Sequence, residues 1–200
     1  GKTMIIEGCN GSLGLSFLNN FSSFKIKPNP LILTSYKSNI DTGWKKLSTN
    51  IIHLKASNIN FISSRKKILQ KYKNINVIYC AGYGRPNLFM KNPEAVLDAN
   101  IHNLIPYKFL NIKSFAYISS SEIYSGIKGE AFETSLLPTS PQHPRGIYIE
   151  AKRLGESIIE NILSKNIKRY ASYRVALAFP PKLLKDDNRV LSDLIKNGKK

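Results

Sequence analysis

The chain holds no apolar run near the roughly 18 residues needed to cross a bilayer, so a membrane span is not expected. Its first apolar stretch, residues 4–6, is too short for a signal peptide and runs at once into glycines. Cysteine is scarce. Cys9 and Cys80 are the only two, too few for a disulfide framework, and a cytoplasmic setting is expected. Both end apolar runs and read as small buried hydrophobes. No internal repeat, low-complexity tract or metal-binding grouping is read from the sequence. Acids are scarce too: 13 Asp and Glu stand against 30 Lys and Arg, a formal charge of +17. Such an excess suggests nucleic acid or an acidic membrane. The basic residues are scattered, however. The clusters Lys45-Lys46, Arg65-Lys66-Lys67 and Lys199-Lys200 are short and lack interleaved aromatics, so they read as solvated faces. Neither a nucleic-acid nor a membrane partner is expected, although the charge would attract a pyrophosphate.

What is present is a regular alternation. At 42% hydrophobic over 200 residues, the chain can bury the core of one domain, or of one domain with a small appendage. Strand-like apolar runs occupy 3–7, 31–35, 51–54, 77–81, 114–119 and 171–178. Amphipathic stretches near 13–24, 61–73, 93–110 and 147–166 lie between them. In the last, Ile147, Ala151, Leu154, Ile158, Ile162 and Leu163 recur at helical spacing. Continuous apolar strands alternating with helices predict an α/β protein, a doubly wound parallel sheet covered on both faces. Residues 125–145, rich in Gly, Pro, Ser and Thr, read as a long loop belonging to the active site. The predicted domain runs over 1–178. Residues 179–200, with a break at Pro180-Pro181, read as the start of a substrate-binding segment.

Gly8-Cys9-Asn10-Gly11-Ser12-Leu13-Gly14 follows the first strand and opens the first helix. Glycine at three-residue spacing allows a tight turn, a close approach of a pyrophosphate and close helix–strand packing. The phosphates would then meet a helix N-terminus. Dinucleotide sites usually carry an acid about 20 residues further on, for the adenosine ribose. Here Leu33-Thr34-Ser35-Tyr36-Lys37 has none, and the next acid is Asp41. Lys37 either favours a 2′-phosphate or is simply exposed, so the sequence leaves NAD and NADP open.

Tyr148 and Lys152, four apart, share one helix face. An ammonium beside a phenol favours the phenolate, which can take a proton from a sugar hydroxyl while hydride leaves the adjoining carbon. The lysine can also bond the nicotinamide ribose. Ser119-Ser120-Ser121 end the fifth strand, where hydroxyls face the ligand crevice. They serve either the substrate hydroxyl or, for at least one of them, the capping of the turn.

Taken in order, the glycine turn, Asn100, Ser119-Ser120-Ser121-Glu122-Ile123-Tyr124 and Tyr148-x-x-x-Lys152 resemble the extended short-chain dehydrogenase/reductase superfamily, in its NAD-dependent epimerase/dehydratase branch. The resemblance implies a Rossmann fold, NAD (or NADP) as cofactor and a nucleotide-activated sugar as substrate. It assigns Ser120, Tyr148 and Lys152 to catalysis, with Glu122 serving a second step. It assigns Gly8, Asn10, Gly11, Ser12, Leu13, Gly14, Ala81, Gly82, Asn100, Tyr148 and Lys152 to the cofactor. Ser120-Ser121-Glu122 is similar to UDP-glucuronate decarboxylases and GDP-mannose dehydratases, while Pro144-Arg145 before Tyr148, Lys152-Arg153 and Asp187-Asn188-Arg189 are similar to the decarboxylases, and this resemblance assigns Ser121, Arg145 and Arg189 to the substrate. Where such dehydratases for dTDP-glucose carry Asp, this chain has Ser121. Leu177 and Pro180 depart from the usual Asn and Gly. The family continues for roughly another hundred residues into a substrate lobe, so that lobe is expected to be missing or truncated here. A homodimer through the 93–110 and 147–166 helices is implied as well. The rival reading is a truncated dinucleotide-binding module without catalysis.

Overall fold

A computed structural model describes residues 2–23 and 27–176. Six strands form one sheet: β1 (Lys2–Glu7), β2 (Pro28–Ser35), β3 (Ile51–Lys55), β4 (Ile75–Tyr79), β5 (Ile112–Ser120) and β6 (Ile167–Val175). Their order is β3-β2-β1-β4-β5-β6, and every neighbouring pair is parallel. The chain winds outward in one direction from β1 through β3 and in the other from β4 through β6. The switch point therefore lies between β1 and β4, and a crevice opens there at the carboxyl ends of the strands.

Alternation along the strands explains why these runs are apolar throughout. Ile5 and Ile6 are adjacent and both fully buried, but they enter different cores, as side chains on opposite faces of a strand must. One core joins Ile6, Leu31 and Leu33 to Phe21 and Trp44, beside α1 (Ser12–Asn20). The other joins Ile5, Val77, Phe115 and Tyr117 to Leu69, Leu104, Ile158 and Leu163. It is covered by α2 (Phe61–Leu69), α4 (Pro93–Leu97) and α5 (Gly146–Ile158).

The predicted alternation is found, with shifted boundaries. The 93–110 helix is broken. Asn92 caps α4, whose first residue is Pro93, a wide turn covers Asp98–His102, and a 3₁₀ turn follows at Ile105–Phe109 with Pro106 inside it. A proline lacks the N–H that would continue an α-helix. A short helix, α3 (Pro86–Phe89), was not read from the sequence. β6 begins at Ile167, ahead of the predicted 171, because it pairs with β5 from Ile112↔Ile167 to Ser120↔Val175. It is an edge strand with most side chains exposed, so its charged first half gives no apolar signal. Leu177, Pro180-Pro181, Arg189 and the 179–200 segment lie outside the described residues.

Candidate active site

The glycine turn stands at the switch point. Gly8 has φ +73°, and a Cβ there would come within 2.9 Å of the Ala81 amide nitrogen, after β4. A Cβ on Gly14 would lie 2.3 Å from the Cys9 carbonyl oxygen. The backbone of β1, α1 and the segment after β4 can meet this closely only without side chains. Gly11 caps α1 with no side-chain hydrogen bond, and the helix's first turn, opened by Ser12 and Leu13, carries no acid. A narrow glycine cradle ending on an uncapped, acid-free helix N-terminus suits a pyrophosphate. The residues present therefore fit the phosphates of a dinucleotide. Asn10 faces elsewhere: its Nδ2 donates to Ser38 Oγ and to the Asn39 carbonyl, both at 2.7 Å, and ties the turn to the loop after β2. At the end of β2, Ser35 Oγ meets His53 Nε2 of β3 at 2.8 Å. Lys37 lies over the exposed Tyr36 ring. Asp41, the first acid beyond β2, accepts from the Gly43 amide.

The catalytic candidates converge at the carboxyl end of β5. Ser120 ends the strand, its Oγ accepts from the Glu122 amide at 3.2 Å, and it draws the Tyr148 phenol down. One serine thus both caps the turn and acts on the tyrosine. Ser121 opens the 3₁₀ turn Ser121–Tyr124. Tyr148 and Lys152 sit one turn apart on the buried face of α5. Lys152 Nζ donates to the Ile118 carbonyl at 2.7 Å and lies 5.9 Å from the centre of the Tyr148 ring. Burial pushes the ammonium down to about 7, against the opposing pull of Cys80 and Glu156. Burial likewise raises the Tyr148 phenol, a shift that Ser120 opposes and Glu122 reinforces. This corrects the expectation of a phenol lowered by its lysine: desolvation has the largest effect, and the opposing influence comes from Ser120.

Glu122, assigned to a second step, and Arg145, assigned to the substrate, are partners. Arg145 Nη1 donates to Glu122 Oε1 at 2.6 Å, while Oε2 is buried without a hydrogen bond among the described residues. Asn100 is fully buried. Its Nδ2 donates to the carbonyls of Gly82 (3.1 Å) and Val96 (2.9 Å), and its Oδ1 accepts from Tyr117 at 3.3 Å. It holds the segment after β4 in place. Arg174 ties the long loop to the sheet, donating to Tyr124 Oη (2.6 Å), the Glu133 carbonyl (3.0 Å) and Glu156.

Two groupings were missed in the sequence. Phe89 stacks on Tyr148 with ring centres 4.9 Å apart and planes 5° from parallel. Nothing in its local sequence signals this contact. Arg65, read as part of a solvated basic cluster, is 1% exposed and paired with Glu7. Among the described residues no group of three or more His, Cys, Asp or Glu suits a metal, and no helix is long and apolar enough to cross a membrane.

Comparison with known proteins gives the family and the fold. The sequence profile of the NAD dependent epimerase/dehydratase family matches residues 5–200. No curated protein sequence matches. Among solved structures, the PbgP3 protein from Burkholderia pseudomallei is 17% identical with a TM-score of 0.67, over 87% of this chain and 52% of that one. The UDP-Glc/GlcNAc 4-epimerase of Campylobacter jejuni is 18% identical with a TM-score of 0.63, over 85% and 53%. The dTDP-glucose 4,6-dehydratase DesIV (a double mutant) of Streptomyces venezuelae, solved with NAD, is 12% identical with a TM-score of 0.65, over 98% and 62%. The chain spans about half the length of the first of these structures.

Proposed function

The chain belongs to the NAD-dependent epimerase/dehydratase family, and from that premise we propose that it modifies the sugar of a nucleotide-activated sugar through a transient keto-sugar. The observation that carries this reading is the convergence of Ser120, Tyr148 and Lys152 at the carboxyl end of β5, beside the glycine turn. NAD, when bound, supplies the hydride acceptor and donor. The protein's residues do the rest. Ser120 positions a sugar hydroxyl against the Tyr148 phenol, and Tyr148 takes its proton as general base. Lys152, one helical turn on, donates to the Ile118 carbonyl and holds its ammonium 5.9 Å from the centre of the Tyr148 ring. Gly8, Gly11, Ser12, Leu13 and Gly14 cradle the pyrophosphate, and Ala81 and Gly82 line the crevice beside it.

Glu122 serves the second step. Its Oε2 is buried and, among the described residues, unpartnered while Oε1 is held by Arg145, which leaves one carboxylate oxygen to handle a proton on the keto-sugar. Ser120-Ser121-Glu122 with Arg145 favours an epimerase or decarboxylase over a dehydratase. Supplying the chain with NAD and a panel of UDP-, GDP- and dTDP-sugars, with products read by mass, tests the reading. Turnover that falls roughly 10²–10⁴-fold in Tyr148→Phe is expected. A second reading is a dinucleotide-binding module without catalysis. NAD binding with no product from any sugar, indifferent to Tyr148→Phe, would establish it instead.

A further inference from the structure

The segment 82–89 lies directly over the catalytic pair. A Cβ built on Gly82 would stand 2.6 Å from Lys152 Nζ, and one on Gly84 would stand 3.1 Å from the Tyr148 hydroxyl. The backbone on this side thus touches both reactive atoms. Phe89, 1% exposed, covers the face of the Tyr148 ring, leaving Tyr148 itself 9% exposed. The segment leaves β4 at the switch point, where a dinucleotide's reactive end must enter. A base has to come within hydrogen-bond reach of the proton it takes, and in this arrangement backbone and a phenyl ring fill that approach.

The segment also has the local features of a hinge. Tyr83 has φ +48°, left-handed geometry that a bulky side chain rarely adopts, and it stands between two glycines. Gly82 is pinned by Asn100 Nδ2 on its carbonyl. At the other end, α3 is only four residues long and carries Phe89 at its last position. A strained residue between two flexible ones, fixed upstream and closed by one stacked ring downstream, can swing as a unit.

We propose that 84–89 is a strap, hinged at Tyr83 and latched by the Phe89–Tyr148 stack, that must swing aside before the nicotinamide and the sugar can reach Tyr148. The strap rests on the reading of Tyr148 and Lys152 as the catalytic pair. It makes Phe89 a positioning residue, acting through the tyrosine it covers.

Two measurements test it. The first needs no cofactor: hydroxyl-radical labelling read by peptide mass, with exposed Tyr36 as internal reference. Tyr148 should be protected in the parent chain. Phe89→Leu keeps the apolar fill and removes the ring, and should raise labelling of Tyr148 by up to about tenfold, the weight of one aromatic pair. Phe89→Tyr should restore protection. Labelling of Tyr148 at the rate of Tyr36 in the parent chain, or no change in Phe89→Leu, overturns the strap. The second compares association of NAD with that of ADP-ribose, which lacks the nicotinamide. Phe89→Leu should speed NAD association by the same factor and leave ADP-ribose unaltered. Equal acceleration of both, or of neither, overturns the gating role. If the chain binds neither nucleotide, the cofactor reading fails, and the labelling result alone decides the strap.

Discussion

Among the described residues two cations are buried, Arg65 and Lys152, and their surroundings could hardly differ more. Arg65, on α2, is ion-paired with Glu7 at the end of β1. Its Nη2 donates to the Asn103 carbonyl at 2.5 Å, and its guanidinium lies 4.9 Å from the Phe61 ring and 4.7 Å from that of Tyr107. Glu7 in turn accepts from the hydroxyls of Tyr107 and Thr34, both at 2.5 Å. Every strong group in that network has a partner. Lys152, at 2% exposure, has one carbonyl and, among the described residues, no ion pair. A planar guanidinium with five donors suits a closed network. An ammonium left in dry surroundings gives up its proton more easily. Completeness marks the first site as structural. The incomplete second site titrates near neutral pH, as expected where a proton has to move.

Breaking the closed network should have the largest effect. Arg65→Met leaves Glu7 buried without its countercharge, and a loss of about 3–5 kcal/mol in urea unfolding is expected. Adding Glu7→Gln should recover much of it. A cost below about 1 kcal/mol for Arg65→Met would remove the contrast with Lys152.

The opposite sign is expected at Lys152. Its folded value of about 7 lies below the ordinary 10.5, so folding releases a proton between those limits. Stability from this group therefore rises with pH from about 7 to 10.5, and the penalty is fully present below 7. Lys152→Met should raise stability at pH 7 by on the order of 2 kcal/mol, and the gain should vanish above pH 10.5. A parent chain and variant with parallel stability–pH curves would show that the buried ammonium carries no such penalty.

The smallest effect sharpens the same comparison at the surface. Arg145 and Glu122 form an ion pair with side chains 45% and 30% exposed. Arg145→Ala should change stability by less than about 1 kcal/mol. In a chain that turns over, it should slow the step after oxidation, read as accumulation of the keto-sugar. Normal product formation without that intermediate would separate Arg145 from the chemistry of Glu122.

The parts of the site legible in the sequence are those coded locally. The glycine turn spans seven residues, and the spacing of Tyr148 and Lys152 is one helical turn. Both are read from neighbours in the chain, and the structure sets both at the strand ends. Ser120 was legible for the same reason, although its double role as cap and influence on Tyr148 was not. Arg65 was misread because its partner is 58 residues away and its own neighbours are lysines. Phe89 was missed because a ring stacked on residue 148 leaves no trace in residues 86–89. The 93–110 helix looked continuous because its apolar periodicity survives the wide turn and Pro106, while its hydrogen bonding does not.

The sequence by itself determined the winding of the sheet. Strand–helix alternation, apolar runs buried on both faces and a glycine turn after β1 leave few other ways to cover the strands. It also determined which residue types meet at the strand ends. Only the tertiary structure decided their electrostatic state. Whether a cation is neutralised, left dry or covered by a ring depends on groups brought from distant segments. For Lys152 those groups are a carbonyl from β5, a glycine from beyond β4 and two aromatic rings, and no local spacing encodes that meeting.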